Sequence, residues 1–441
     1  MPRTGFADLP LHGGKAPRWL FERMVRLSEG ILEWMVEELG PRATLERFSD
    51  PFWFQALGCV LGFDWHSSGV TTTTCGAVKE ALCHRHDLGV FAAGGKGAAS
   101  RRTPLEIEEK GERAGLGERI PVLVHASRMA AKVDNNALQD GYQIYHHFFL
   151  FTAEGEWAVV QQGMNGARGY ARRYHWVSWR VRDFTEEPHS AICSQSIGGG
   201  VLNLVAAESR PTRDIMGPLS SLKPDRTVRE LERLRALSLP PRHSLLLRDL
   251  HPESIRKVLL RTYERQPQDF ATLLEMPGVG AKTLRALALI AELVYGTPVS
   301  WRDPARYSFA HGGKDGHPYP VDRETYDQSI AYLDRALRAS GVERGEREAA
   351  RRRLHRLYLS LSQRGDDTPH RPPLEPFRPA LTQSDEDKPP RGKCRGGHGV
   401  QEGGTAVSGG YPPCEEARKR GWGKPAATQG GAGWRQAAFP F

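Results

Sequence analysis

Near the start of the chain apolar residues recur at helical spacing: Trp19, Leu20, Met24, Leu27, Ile31, Leu32 and Met35 form one stripe. Pro17 stands where such a helix begins, and Gly40-Pro41 where it ends. A second helical segment is expected over 44–61, carrying Phe52, Trp53, Phe54 and Leu57, and a third over about 74–84. The Gly/Ala/Ser run 94–100, followed by Arg101-Arg102, reads as an exposed flexible loop. From Tyr142 the period changes. Segments 142–151, 157–162 and 170–179 are aromatic and β-branched, and Glu154-Gly155, Asn165-Gly166 and Gly169 join them as a β-meander. On such a strand Tyr145-His146-His147 alternates faces, so one histidine should be buried and the other exposed.

Beyond Thr212 the helical period returns and holds to about 363. After 366 the chain is rich in Pro, Gly and charge with few aliphatics, and it is expected to be disordered. The pattern therefore predicts an α+β protein. A mainly helical N-terminal part and a central antiparallel meander form residues 1–210, a helical domain follows over 211–365, and a disordered tail occupies 366–441.

Composition narrows the partners. The 441 residues include 61 Lys plus Arg against 52 Asp plus Glu, a formal net charge of +9, which suits a polyanion. No stretch reaches the length and apolarity of a membrane helix, and Asp8, His12 and Lys15 interrupt any signal-peptide core. Six cysteines without paired CxxC spacing suit reduced thiols in a cytoplasm. The oligomeric state is left open.

The most informative segment is Leu273-Leu-Glu-Met-Pro-Gly-Val-Gly-Ala-Lys-Thr283. Two glycines let the backbone turn tightly and approach a ligand. The helix that follows presents free N–H groups and a positive dipole end. Lys282 adds charge to that anion site. The alternative is a capped turn between two core helices. The pattern resembles the helix-hairpin-helix of DNA-repair proteins. That resemblance implies contact with duplex phosphates through Gly278, Val279, Gly280, Lys282 and Thr283.

Within the repair glycosylases built on this hairpin, Lys282 matches the Schiff-base lysine of bifunctional members. Gly296 matches their glycine, and Asp303, seven residues beyond it, their catalytic aspartate. Here the intervening helix is three residues longer and no four-cysteine cluster pattern follows. Asp303-Pro304 also reads as an N-cap before a helix-starting proline, a common structural pairing.

A second resemblance covers residues 1–365. Thr4–Leu20, Gly62-Phe-Asp-Trp-His-Ser-Ser-Gly69, Gln161-Gln-Gly-Met-Asn165, Arg172-Arg-Tyr-His-Trp176 and Ser308-Phe-Ala-His-Gly-Gly-Lys314 resemble, in order, a prokaryotic family known only as domain of unknown function 763. It implies a soluble prokaryotic protein tied to DNA metabolism and assigns no catalytic residue.

Other constellations stand on their residues alone. Asp64 and His66 would share one side of an extended segment, as an acid–base or metal pair requires, or form a capped turn. His311 and Lys314 sit in a polar loop between helices, where a nucleic-acid site is expected. Arg172 and Arg173, flanked by aromatics, suit phosphates and unstacked bases, or ordinary cross-strand pairing on a solvated face. Cys75, Cys83, His84 and His86 fit no standard zinc spacing, so no metal site is expected there.

The reading is a DNA-binding protein of repair or processing, a nuclease or base-excision-type enzyme with chemistry drawn from Asp64, His66, His311 and Asp303. Lys314, Arg172 and Arg173 would add DNA contacts. A nuclease would bring Mg²⁺ or Mn²⁺. The alternatives are a non-catalytic accessory of repair or recombination, or an RNA-processing factor.

Overall fold

A computed structural model of the chain describes residues 9, 11, 16–63, 67–194, 199–236, 250–305, 323–339 and 341–362. Asp64, His66, His311, Lys314, both His-Gly-Gly-Lys copies and the tail after 366 lie outside the described residues.

The N-terminal stripe builds α1 (Arg18–Ser49), which buries Met24, Leu27, Ile31, Leu32 and Met35. The break expected at Gly40-Pro41 is a kink, because Gly40 leaves helical geometry at φ 81 while helix resumes beyond it. The segment expected as one helix over 44–61 divides at Asp50. Its carboxylate accepts from Phe52 N–H at 2.8 Å and Trp53 N–H at 3.3 Å and so starts α2 (Pro51–Leu61) with Pro at the first position. Then come α3 (Gly69–Ala81), strand β1 (Val90–Lys96), α4 (Ala98–Arg101), α5 (Thr103–Arg113) and α6 (Arg119–Lys132).

Strand β1 corrects the expected loop. Gly94, at φ +90, lies so close to its neighbours that a Cβ there would sit 2.2 Å from the His147 carbonyl oxygen and 2.6 Å from Thr103 Oγ1. The bare backbone lets Glu106 accept the Gly94 N–H at 3.0 Å while Lys79 donates to the Gly94 carbonyl at 2.7 Å. Glycine is there for close approach, not for flexibility.

The expected meander is present as β3 (Gln143–Thr152), β4 (Trp157–Asn165) and β5 (Tyr170–Val177), after the short β2 (Leu138–Gln139). With β1 and β6 (Ala191–Cys193) at the edges, they make an antiparallel sheet in the order β1-β3-β4-β5-β6. A second sheet joins β2, β7 (Gly199–Asn203) and β8 (Ser300–Arg302). The helices that follow β7 are α7 (Arg210–Ser220), α8 (Pro224–Ala236), α9 (Pro252–Arg265), α10 (Phe270–Glu275), α11 (Ala281–Tyr295), α12 (Arg323–Ala339) and α13 (Arg344–Ser362).

Both faces of the large sheet are covered. One face (Phe149, Phe151, Val159, Trp176) packs in a core with residues of α5 to α11. The other (Phe148, Leu150, Val160, Val177) packs with α1 to α3 and residues of α12 and α13. The first of these cores draws residues from Phe91 to Ile290. Because both faces are covered, His146 and His147 are both buried, at 1% and 0% exposure, although they do alternate faces. Among the described residues no helix is long and apolar enough to cross a membrane. Cys59, Cys75 and Cys193 are free thiols.

Replacing Gly94 with Ala adds a methyl group where a carbonyl already stands and forces a left-handed residue. Overpacking and backbone strain together should lower unfolding free energy by about 3 kcal/mol. Urea denaturation measures this, and a change below about 1 kcal/mol is inconsistent with the strand packing described.

Candidate nucleic-acid interface

The hairpin is built from its turn outward. Asp269 starts α10 by accepting the Thr272 N–H at 2.7 Å. The helix stops at Met276 (φ −59, ψ 136), since the residue before a proline is driven out of helical geometry. The Val279 N–H then donates to the Met276 carbonyl at 3.2 Å across Pro277 and Gly278, whose φ is +88. Proline second and a positive-φ glycine third is the residue pattern of a type II turn. Gly280 begins α11 with no side chain to cap it, and the Leu284 N–H donates to its carbonyl at 3.1 Å. Pro277, Gly278 and Lys282 are exposed, Gly280 is half-buried, and Val279 and Thr283 are buried beneath the turn. The residues expected to bind DNA thus divide into a presented set and an anchoring set.

Three residues that the sequence pattern did not single out hold this hairpin. Lys132, the last residue of α6, donates to the carbonyls of Leu274, Glu275 and Met276 at 2.7, 2.9 and 3.3 Å. Burial pushes its ammonium down to about 8. The Gln139 amide donates to the Ala281 carbonyl at 2.7 Å, and Gln139 Oε1 accepts from Arg285 Nε at 2.8 Å. His125 Nδ1 lies 2.9 Å from Glu275 Oε1. The visible signal for Lys132 was a charge inside the apolar run Met129-Ala-Ala-Lys-Val133.

Beyond the hairpin α11 ends at Gly296 (φ 69), and β8 leads directly to Asp303. Asp303 meets Arg172 through two bonds, Nη1 to Oδ1 at 3.1 Å and Nη2 to Oδ2 at 2.7 Å. Arg172 Nη1 also reaches Asp140 Oδ2 at 2.8 Å, and Nη2 reaches Ser194 Oγ at 3.1 Å. The Tyr142 ring lies against its guanidinium at 4.7 Å. Asp140 accepts further from Tyr174 Oη at 2.7 Å and from the Tyr142 N–H at 2.9 Å. Burial lifts the Asp140 carboxyl, and the Arg172 charge pulls it back down. Asp303 Oδ1 accepts the Ala305 N–H at 3.0 Å, the turn bond expected of an Asp-Pro cap.

Arg172 and Arg173, expected at a nucleic-acid surface, are both 0% exposed. They alternate faces, and both faces are covered. Arg173 donates to Gln55 Oε1 at 3.0 Å, Thr71 Oγ1 at 3.3 Å and His175 Nε2 at 3.0 Å, over the Phe54 ring. Gln161 and Gln162 are buried with them. His147 bridges Ser127 Oγ at 2.9 Å and Gln161 Oε1 at 2.8 Å, while Asp134 accepts from Gln161, His189 and Trp176. One end of the sheet is therefore a buried polar layer. Among the described residues no group of three His, Cys, Asp or Glu is placed to hold a metal.

An antiparallel sheet between helical layers, with a glycine hairpin fixed to one of them, defines an α+β protein with an exposed backbone turn. The chain belongs to the family described as protein of unknown function (DUF763), whose model matches residues 5–321. No curated protein and no solved structure matches it.

Two outcomes follow from the buried layer. Arg172→Met leaves two carboxylates buried without their cation and should destabilise the protein by about 3–5 kcal/mol, read from the urea midpoint. Burial pushes His146 down to about 3 and His147 to about 4, with His175 also lowered. The native state then binds fewer protons than the unfolded chain below about pH 6.5, so stability is full above that value and is lost as pH falls toward the native values. The urea midpoint should drop between pH 7 and pH 5, and a flat profile counts against neutral buried imidazoles.

Proposed function

We propose that this protein binds duplex DNA through the 276–283 hairpin and acts in DNA repair or processing. The carrying observation is the turn itself: Gly278 at φ +88 and an uncapped α11 beside exposed Lys282. Such a turn offers backbone N–H groups, a positive dipole end and an ammonium to a phosphate without reading base sequence. The Lys132 and Gln139 bonds hold those groups in place before any ligand arrives. The net charge of +9 favours the same partner.

A nuclease or base-excision-type reaction would draw on Asp64, His66, His311 and Asp303, and a nuclease would use Mg²⁺ or Mn²⁺. Lys314 would extend the DNA interface. One observation favours the non-catalytic accessory instead: the Asp303 carboxylate is closed from solvent and engaged by Arg172 and the Ala305 N–H.

Fluorescence anisotropy of the full chain with labelled duplex tests binding. Lys282→Ala should weaken it about equally on unrelated sequences and reduce the salt slope by about 1. An unchanged slope removes the hairpin from the interface. Incision of duplex, branched and base-damaged DNA, with and without divalent metal and before and after alkali, separates enzyme from accessory. Metal-dependent breaks indicate a nuclease, alkali-dependent breaks indicate base excision, and binding with no product indicates an accessory.

A further inference from the structure

Resting on the hairpin reading, we infer that Lys257, Arg261 and Arg265 of α9 form a second phosphate track, continuous with the hairpin, for one strand of a nucleic-acid backbone. The three are spaced four residues apart and all are exposed. Arg261 is the link: its Nη1 lies 2.9 Å from where a Cβ on Gly278 would sit, so the guanidinium rests against the turn.

On α9 these three side chains differ from Arg256 in being unpaired among the described residues. Arg256 on the same helix pairs with Asp225 at 2.9 Å, and Arg85, Arg338 and Arg351 are likewise paired with carboxylates. Among the described residues the side chains of Lys257, Arg261 and Arg265 make no hydrogen bond or ion pair. Like charges at this helical spacing repel by about 0.2–0.5 kcal/mol per pair, a cost that a bound polyanion reverses.

Length fits the same partner. Eight residues of helix span about 12 Å, and the phosphates of one strand advance about 3.4 Å each along the duplex axis. The stripe therefore covers about three phosphates. Glu264, exposed on the same helix, opposes the track and gives it a test of sign.

The experiment is anisotropy of the full chain with labelled duplex across a salt series, comparing Lys257→Ala/Arg261→Ala/Arg265→Ala, Glu264→Gln and Lys282→Ala. All the altered side chains are exposed, and thermal denaturation confirms that each variant is folded. The triple variant should flatten the salt slope by about 3, since each phosphate that is no longer neutralised lowers the slope by about 0.9. Glu264→Gln should tighten binding about twofold, in line with removing one repulsive surface charge. A triple variant with wild-type slope, while Lys282→Ala weakens binding, overturns the track and leaves the hairpin standing. Failure of the unaltered chain to bind duplex at all overturns both.

Discussion

Arg172 is the point on which the structure turns. A guanidinium at 0% exposure must be neutralised, and Asp140, beside β2, and Asp303, beyond β8, both reach it. Removing water from three charges is costly, and the arrangement persists because geometry offsets that cost: a two-bonded carboxylate, a second carboxylate and a flanking ring. The consequence is topological. Residues far apart in the chain, Arg172 on β5 and Asp303 after the hairpin helix, meet only in the folded protein. The charge requirement thus closes the large sheet onto the run that carries the hairpin.

The sheet that Arg172 belongs to is polar at one end and aromatic at the other. Toward the Trp157 end, Phe149, Phe151, Val159 and Trp176 interlock as apolar side chains do. Toward the Gln143 end the same alternation supplies His147, Gln161 and Tyr174 on one face and His146, Gln162 and Arg173 on the other. Buried polar groups specify register more tightly than apolar ones, because a slip of one residue would leave several without partners at about 1–3 kcal/mol each. Register in turn sets where Arg172 points.

The sequence revealed whatever depends on local chemistry. Proline followed by a positive-φ glycine announces the turn at 276–279, and Gly296 announces the end of α11. The aromatic, β-branched runs announced β3 to β5. What it concealed depends on a second segment. Gly94 read as flexible because nothing nearby in sequence shows that α5 and β3 press on it. Arg172 and Arg173 read as surface groups because alternation identifies faces without saying what covers them. Lys132 was invisible as a clasp since its acceptors lie about 140 residues away, at Leu274 to Met276.

Rigidity is what connects the clamp to the proposed function. A turn that must order itself on meeting a phosphate loses about 1–2 kcal/mol of backbone entropy for each residue fixed, which offsets much of what one phosphate contact supplies. Here that ordering happens on folding. Lys132 and Gln139 hold the two helix ends that flank the turn, and the strand that follows α11 is fixed by pairing with β7 and by the Arg172–Asp303 bonds. Pro277 and Gly278 stay exposed between two immobilised ends. The run 276–303 thus begins at a turn held by Lys132 and Gln139 and ends at the carboxylate that neutralises Arg172.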